Sequence, residues 1–81
     1  MGDHQSNHVK TKHDLAELDR NARQALIEDG DLDDINRQIL YLHYIKHKDF
    51  GYIADTIGIT PSTVYRRHGY ALQIIRRYFG R

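Results

Sequence analysis

The stretch that decides the fold is residues 50–72, FGYIADTIGITPSTVYRRHGYAL. It predicts a short helix, a tight turn and a second helix. Gly58 lies where a sharp bend needs a residue without Cβ. Thr60 is a good N-cap for the second helix, and Pro61 suits its first position, where the missing N–H costs no hydrogen bond. This order is typical of a helix-turn-helix motif, whose second helix can enter the major groove of DNA.

The side chains of this motif divide into an inner and an outer set. Ile53, Ala54 and Ile57 share one face of the first helix, and Val64 lies where the second helix would pack back on the first. The residues left facing outward near the start of the second helix are Ser62, Thr63, Tyr65 and Arg66.

The length of the chain, 81 residues, leaves room for one small domain. We expect residues 1–10, which lack apolar periodicity, to form a disordered tail, and residues 11–81 to form a single helix-turn-helix domain. The chain has no cysteine, which excludes disulfides and thiolate metal sites and fits a reducing cytoplasm. No apolar run approaches the ~20 residues of a membrane span, and no hydrophobic signal segment follows Met1.

Apolar residues at spacings of three and four predict the other helices. We expect an N-terminal amphipathic helix over residues 12–28 and a helix with a broad apolar face over 32–46. The motif then supplies a short helix at about 50–57 and a longer one at about 61–78. The sequence has no alternating apolar run long enough for a strand. It therefore predicts an all-α fold with three core helices and an N-terminal one.

The net charge of +1 conceals a division along the chain. Residues 1–55 hold all 11 acidic residues and 7 of the 12 Lys and Arg, a net charge of −4. Residues 56–81 hold five Arg and no acidic residue, a net charge of +5. A basic segment joined to an acidic one indicates a surface for a polyanion.

Two segments carry a resemblance to a known family: INRQILYLHYI (35–45) and DFGYIADTIGITPSTVYRRHGYAL (49–72). From about residue 31 to residue 78 the chain resembles region 4 of the sigma-70 family of bacterial transcription initiation factors. It is similar also to the small sigma-like regulators of phages and prophages that control late genes. The family pattern is hydrophobic-Ile-Ala, two variable, hydrophobic-Gly-Ile-Ser/Thr, two variable, Thr-Val, and residues 52–64 match it. Arg67 and Ala71 also fall where many members have Arg and Ala.

The resemblance implies a sequence-specific DNA-binding regulator of transcription whose recognition helix, at about 61–78, enters the major groove. Two departures from the family pattern are Pro61, where members often have a side chain that bonds DNA, and His68, at a core position usually held by leucine or isoleucine. The chain has no segment like the promoter-melting region of a full sigma factor. The resemblance therefore implies an accessory factor, an activator or a repressor.

The predicted partner is double-stranded DNA, and two groups of residues are expected to contact it. The residues expected closest to the bases are Ser62, Thr63, Tyr65 and Arg66. Those expected at phosphates are Arg67, Arg76, Arg77 and either Lys46 or Lys48, with the helix N-terminus at Thr60 as a further phosphate site. Thr63 has a competing role in bonding back to the cap, and the Arg67 stem can pack along the first helix.

Catalytic and metal chemistry find no support in the sequence. His43 and His47 have the i, i+4 spacing of a metal clamp, but no third ligand is evident. Asp29, Asp31 and Asp33 begin like a calcium loop, which lacks its glycine and glutamate further on. No nucleophile has an obvious base, and no glycine loop cradles a phosphate. We expect no enzyme activity, no metal and no cofactor.

The sequence is also compatible with other functions. STVYRR also resembles the DNA-binding ends of serine recombinases and some one-component repressors, so a DNA-packaging or recombination accessory protein is one alternative. Another is a protein-interaction module that binds RNA polymerase, because sigma-like domains grip polymerase through an apolar groove. The N-terminal helix is available for a homodimer. The expected location is the cytoplasm of a bacterial cell, in association with the nucleoid and without membrane contact.

Overall fold

The computed structural model describes residues 3–79, with side chains from residue 9 onward, and within this range it contains five helices and no strand. The helices are α1 (Asp3–Glu17), α2 (Arg20–Asp29), α3 (Asp34–Tyr44), α4 (Phe50–Ile57) and α5 (Pro61–Arg76). α5 packs against α1, α3 and α4, whereas α2 packs mainly against α3. The predicted all-α class is confirmed.

The single N-terminal helix predicted over 12–28 is wrong, because the chain breaks into two helices there. α1 ends at Glu17, and Asp19 begins α2 as its N-cap. The Asp19 carboxylate accepts the backbone N–H of Ala22 at 2.8 Å. A side chain that satisfies this N–H favours a helix start over a continuing helix.

The prediction of a disordered tail over residues 1–10 also needs correction. Residues 3–10 form the first half of α1, and residues 1–2 lie outside the described residues. Two fully buried side chains, Thr11 and Leu15, fix the second half of α1 in the structure. Residues 3–10 contain no glycine or proline to stop a helix that is fixed in this way.

Side-chain caps define the starts of the later helices. The N-cap of each of α2, α3, α4 and α5 accepts the backbone N–H of the residue three positions on: Asp19, Asp33, Asp49 and Thr60. Each such cap contributes ~1 kcal/mol to stability. α4 ends at Gly58, whose φ of 87° is left-handed. The predicted turn between residues 57 and 61 is confirmed in its glycine, its cap and its proline.

The buried apolar side chains form two clusters that share α3 and α5. The larger cluster consists of Leu15, Ile27, Leu32, Leu40, Tyr44, Ile45, Ala71, Leu72 and Ile75. The smaller one consists of Ile39, Ile53, Ala54 and Val64, with Ile57 half-buried against it. The smaller cluster joins the predicted inner residues of the motif to Ile39 of α3, so it packs α4 and the start of α5 on α3.

Candidate nucleic-acid interface

The first turn of α5 is an exposed cluster of hydroxyl groups. Thr60 Oγ1 accepts the backbone N–H of Thr63 at 3.2 Å and lies 2.9 Å from Thr63 Oγ1. Ser62 Oγ lies 3.3 Å from the same Thr60 oxygen. The competing role expected for Thr63, a bond back to the cap, is therefore confirmed, and Ser62 is the more exposed residue of the two.

Five exposed residues of α5 and its C-cap lie on one side of the helix and form what we call the outer ridge. They recur at intervals of three or four residues: Ser62, Arg66, Tyr70, Gln73 and Arg77. The ridge is about 22 Å long, since an α-helix rises about 1.5 Å per residue. Sequence reasoning missed Tyr70 and Gln73, although their spacing of four and seven from Arg66 was a signal that could have found them.

Arg66 and Tyr65 are presented to solvent in different ways. Arg66 is exposed and makes no hydrogen bond or ion pair with any residue that the structure describes. Tyr65 is 63% exposed, but the edge of its ring meets Phe50 with 4.6 Å between the ring centroids. Arg66 can therefore reach a ligand freely, whereas Tyr65 is held in place by α4.

Two arginines predicted at phosphates have protein partners. Arg67 Nη1 donates to Asp33 Oδ2 at 3.3 Å and to Asn36 Oδ1 at 3.4 Å, which ties α5 to α3. Arg76 Nη1 donates to Thr11 Oγ1 at 3.4 Å, which ties α5 to α1. Neither arginine belongs to the outer ridge, so their contact with phosphate stays a prediction.

The two predicted lysines lie in the connection between α3 and α4. Lys46 Nζ is 5.9 Å from the centroid of the Tyr41 ring, and Lys48 Nζ is 4.9 Å from that of Tyr52. Between them His47 has a left-handed φ of 60°. Both lysines are exposed but lie outside the outer ridge.

A cleft runs along each side of the outer ridge. The α1-side cleft has a volume of about 460 Å³ and lies between Lys12 of α1, Phe50 of α4 and the Tyr65–Gln73 part of α5. The α3-side cleft has a volume of about 420 Å³ and is bordered by Asp33 and by Asn36. Arg66, Tyr70 and Gln73 line both clefts, as expected for residues of the ridge between them.

A cluster of aromatic rings that includes His68 and Phe50 forms part of the wall of the α1-side cleft. His68 is 7% exposed, and its Nε2 lies 2.9 Å from the Tyr44 hydroxyl. Phe50 packs on the same imidazole with ring centroids 4.8 Å apart. The expected core position of His68 is confirmed. Burial raises the pKa of the Tyr44 phenol above its ordinary range, because the charged form would lose its hydration.

No metal centre is assembled among the residues that the structure describes, since no three His, Cys, Asp or Glu side chains come close enough to share an ion. His43 Nδ1 lies 2.8 Å from the carbonyl oxygen of Lys48, so this ring is engaged with the chain itself. Within residues 3–79, none of the helices has the length and apolar character needed to cross a membrane.

No protein-family model, curated protein or solved structure matches the chain. The resemblance to sigma-70 region 4 therefore stays an expectation from the motif residues.

Proposed function

We propose that this protein is a sequence-specific DNA-binding regulator of transcription that inserts the first half of α5 into the major groove. The observation that carries the proposal is the outer ridge, which follows a helix-turn-helix turn directly and includes two arginines. The chain from residue 56 to residue 81 contains no acidic residue that would repel a phosphate. Within the described part of the chain, Arg66 has no partner to compete with DNA.

In this mechanism the residues of the ridge have different roles according to their position. Arg66, one turn into α5, is suited to a guanine edge, where a bidentate contact is worth about 1–3 kcal/mol of discrimination. Ser62 stands one turn before it, closest to the bases. Arg77 lies about 16 Å further along the helix and is suited to a phosphate. The backbone N–H groups at the start of α5 are directed at a second phosphate.

Lysines outside the ridge can add to this binding without reading sequence. Lys46 and Lys48 are exposed next to the motif and would contact the backbone at its flank. Each phosphate neutralised releases condensed counterions, so each contact steepens the plot of log affinity against log salt by about 0.9. The proposal therefore predicts binding that weakens markedly as salt is raised.

The test is fluorescence anisotropy of a labelled random-sequence duplex at low salt, with Arg66→Ala, Arg77→Ala and the control Arg20→Ala. Arg20 is an exposed arginine at the start of α2, which packs mainly on α3. We expect the first two variants to weaken binding and Arg77→Ala to reduce the salt slope by about 0.9. Unchanged affinity in both ridge variants would reject the proposed function. An equal loss of affinity in all three variants would show that net charge, and not the position of the arginine, determines binding.

A second candidate function, a module that binds RNA polymerase, is favoured by a different surface. A groove of about 310 Å³ between α2, α3 and α4 is lined by apolar parts of Ile27, Tyr41 and Leu42. None of its lining residues lines either cleft of α5. Capture of polymerase from a bacterial lysate by the immobilised protein separates the two functions, because capture through DNA is lost after nuclease treatment and direct capture is not.

A further inference from the structure

We propose that the α1-side cleft holds the sugar-phosphate backbone of the strand that runs beside the recognition helix, with Lys12 of α1 and Arg66 of α5 as its cations. The inference rests on the proposed function and deepens it, because it makes α1, which lies outside the helix-turn-helix motif, a part of the DNA interface. Lys12 was not among the residues that the sequence pointed to.

The charges around the cleft favour the binding of an anion. Among the residues that the structure describes, its lining includes two cations from different helices and no acidic residue. Neither Lys12 nor Arg66 makes a hydrogen bond or ion pair with another described residue. Lys10, two residues earlier on α1, is by contrast paired with Asp14 at 3.6 Å. Cations that have no partner among the described residues and border the same cleft favour an anion between them.

The uncharged part of the lining suits a nucleotide better than a bare anion. Tyr65 and Tyr70 are 63% and 55% exposed, so their hydroxyl groups are available as donors to phosphate oxygens. Phe50, which is half-buried, supplies an apolar surface against which a deoxyribose can pack. A volume of about 460 Å³ falls in the range of sites that enclose small organic molecules, about 300–1,000 Å³.

The α3-side cleft is less suited to a phosphate backbone than the α1-side cleft. A helix that lies in the major groove has a phosphate backbone on both sides, so each cleft is a candidate. The α3-side cleft includes Asp33, whose carboxylate repels phosphate and already occupies Arg67. The α1-side cleft has neither obstacle. The backbone of the nearer strand is therefore bound on the α1 side.

The experiment measures duplex affinity against salt for the full chain and for Lys12→Gln, Lys10→Gln and Arg66→Gln. Lys10→Gln is the matched control, because it removes the same charge from the same helix outside the cleft. We expect Lys12→Gln to lower the salt slope by about 0.9, so that the loss of affinity between 50 and 200 mM salt becomes about 3.5-fold smaller than for the wild type. Lys10→Gln should leave the slope at its wild-type value. Circular dichroism of each variant checks that the helices remain.

The outcomes separate this inference from the function on which it rests. If Arg66→Gln weakens binding and Lys12→Gln behaves like Lys10→Gln, the cleft is not a backbone site and the proposed function stands. If the wild-type chain does not bind duplex at all, both proposals are overturned. A further measurement titrates the wild-type protein with a deoxynucleoside monophosphate. Saturable binding of this free nucleotide that the duplex does not displace would assign the cleft to a small ligand and overturn the inference.

Discussion

Asp33→Asn should strengthen DNA binding while leaving the fold almost unchanged. The Asp33 carboxylate has two roles, since Oδ1 accepts the backbone N–H of Asn36 at 2.9 Å and Oδ2 accepts Arg67 Nη1 at 3.3 Å. Asparagine is as good an N-cap as aspartate, so the first role is kept. The second role, the bond to Arg67, is lost in part because asparagine carries no charge and the ion pair disappears.

The stability cost follows from the exposure of this pair. At 3.3 Å the attraction in water is about 1.3 kcal/mol. The side chains are 33% exposed for Arg67 and 61% for Asp33, so solvent screening and lost side-chain entropy reduce the net contribution to below about 1 kcal/mol. Urea unfolding should therefore show a decrease in unfolding free energy of at most about 1 kcal/mol.

The gain in DNA binding follows from the same change. Arg67 lines the α3-side cleft, and without the carboxylate it can turn to a phosphate there. One further phosphate contact should add about 0.9 to the salt slope and tighten binding roughly fivefold to tenfold at 0.1 M salt.

The matched control is Asp34→Asn, which removes the same charge at the next position. Asp34 is 91% exposed and pairs with Arg37 of its own helix, and it does not line the cleft. Anisotropy titrations with a labelled duplex compare the two variants. Equal affinity of Asp33→Asn and Asp34→Asn, or a stability loss well above 1 kcal/mol for the first, would refute the reasoning.

Three further predictions concern the turn and the core. Gly58→Ala should lower the unfolding free energy, measured by urea titration, by roughly 1–2 kcal/mol, because a φ of 87° is strained for any residue with a Cβ. Gly51→Ala in α4 should raise the unfolding free energy by up to about 1 kcal/mol in the same titration, because its new Cβ would meet only one atom, at an ordinary contact distance. Thr60→Ala should lower the thermal midpoint by an amount equivalent to about 1 kcal/mol, and Thr60→Ser should restore most of it, as followed by circular dichroism. Above pH 10 the unfolded chain ionises Tyr44 while burial keeps the folded phenol protonated, so stability should fall as pH rises; Tyr44→Phe should reduce that slope in urea titrations on either side of pH 10.

The helix-turn-helix motif could be predicted from the sequence because each of its signals acts over a few residues. The cap at Thr60 bonds the residue three positions on, and Gly58 takes its left-handed φ within the turn itself. The apolar spacing of Ile53 and Ala54 needs no distant information either. Local signals of this kind placed α4 and the start of α5 at their observed positions.

The break between α1 and α2 has a local signal in the Asp19 cap, but no glycine or proline accompanies it as at the turn of the motif. The apolar spacing continues through it, so the pattern favours one helix. Arg23 donates to the carbonyl oxygens of Leu18 at 2.9 Å and of Tyr44 at 2.7 Å. The second of these acceptors lies 21 residues away, so the contact that secures the break forms only when α3 is packed.

Part of the candidate interface could not be predicted from the sequence for the same reason. Arg67 and Asp33 are 34 residues apart, and no local pattern indicates that they meet. Lys12 reaches the α1-side cleft only because α1 folds back on α5. The ridge residues Tyr70 and Gln73, in contrast, follow from helical spacing alone.

The division of the core between two clusters has a consequence for how the molecule fluctuates. Ile39 and Leu40 are neighbours on α3, yet Ile39 belongs to the smaller cluster and Leu40 to the larger one. Local opening of either cluster exposes one side of α3 and leaves the other side packed. The amides of α3 should therefore exchange with solvent deuterium only when the whole molecule unfolds. α5 also contributes to both clusters, so local opening of one cluster leaves part of α5 packed and its outer ridge in place.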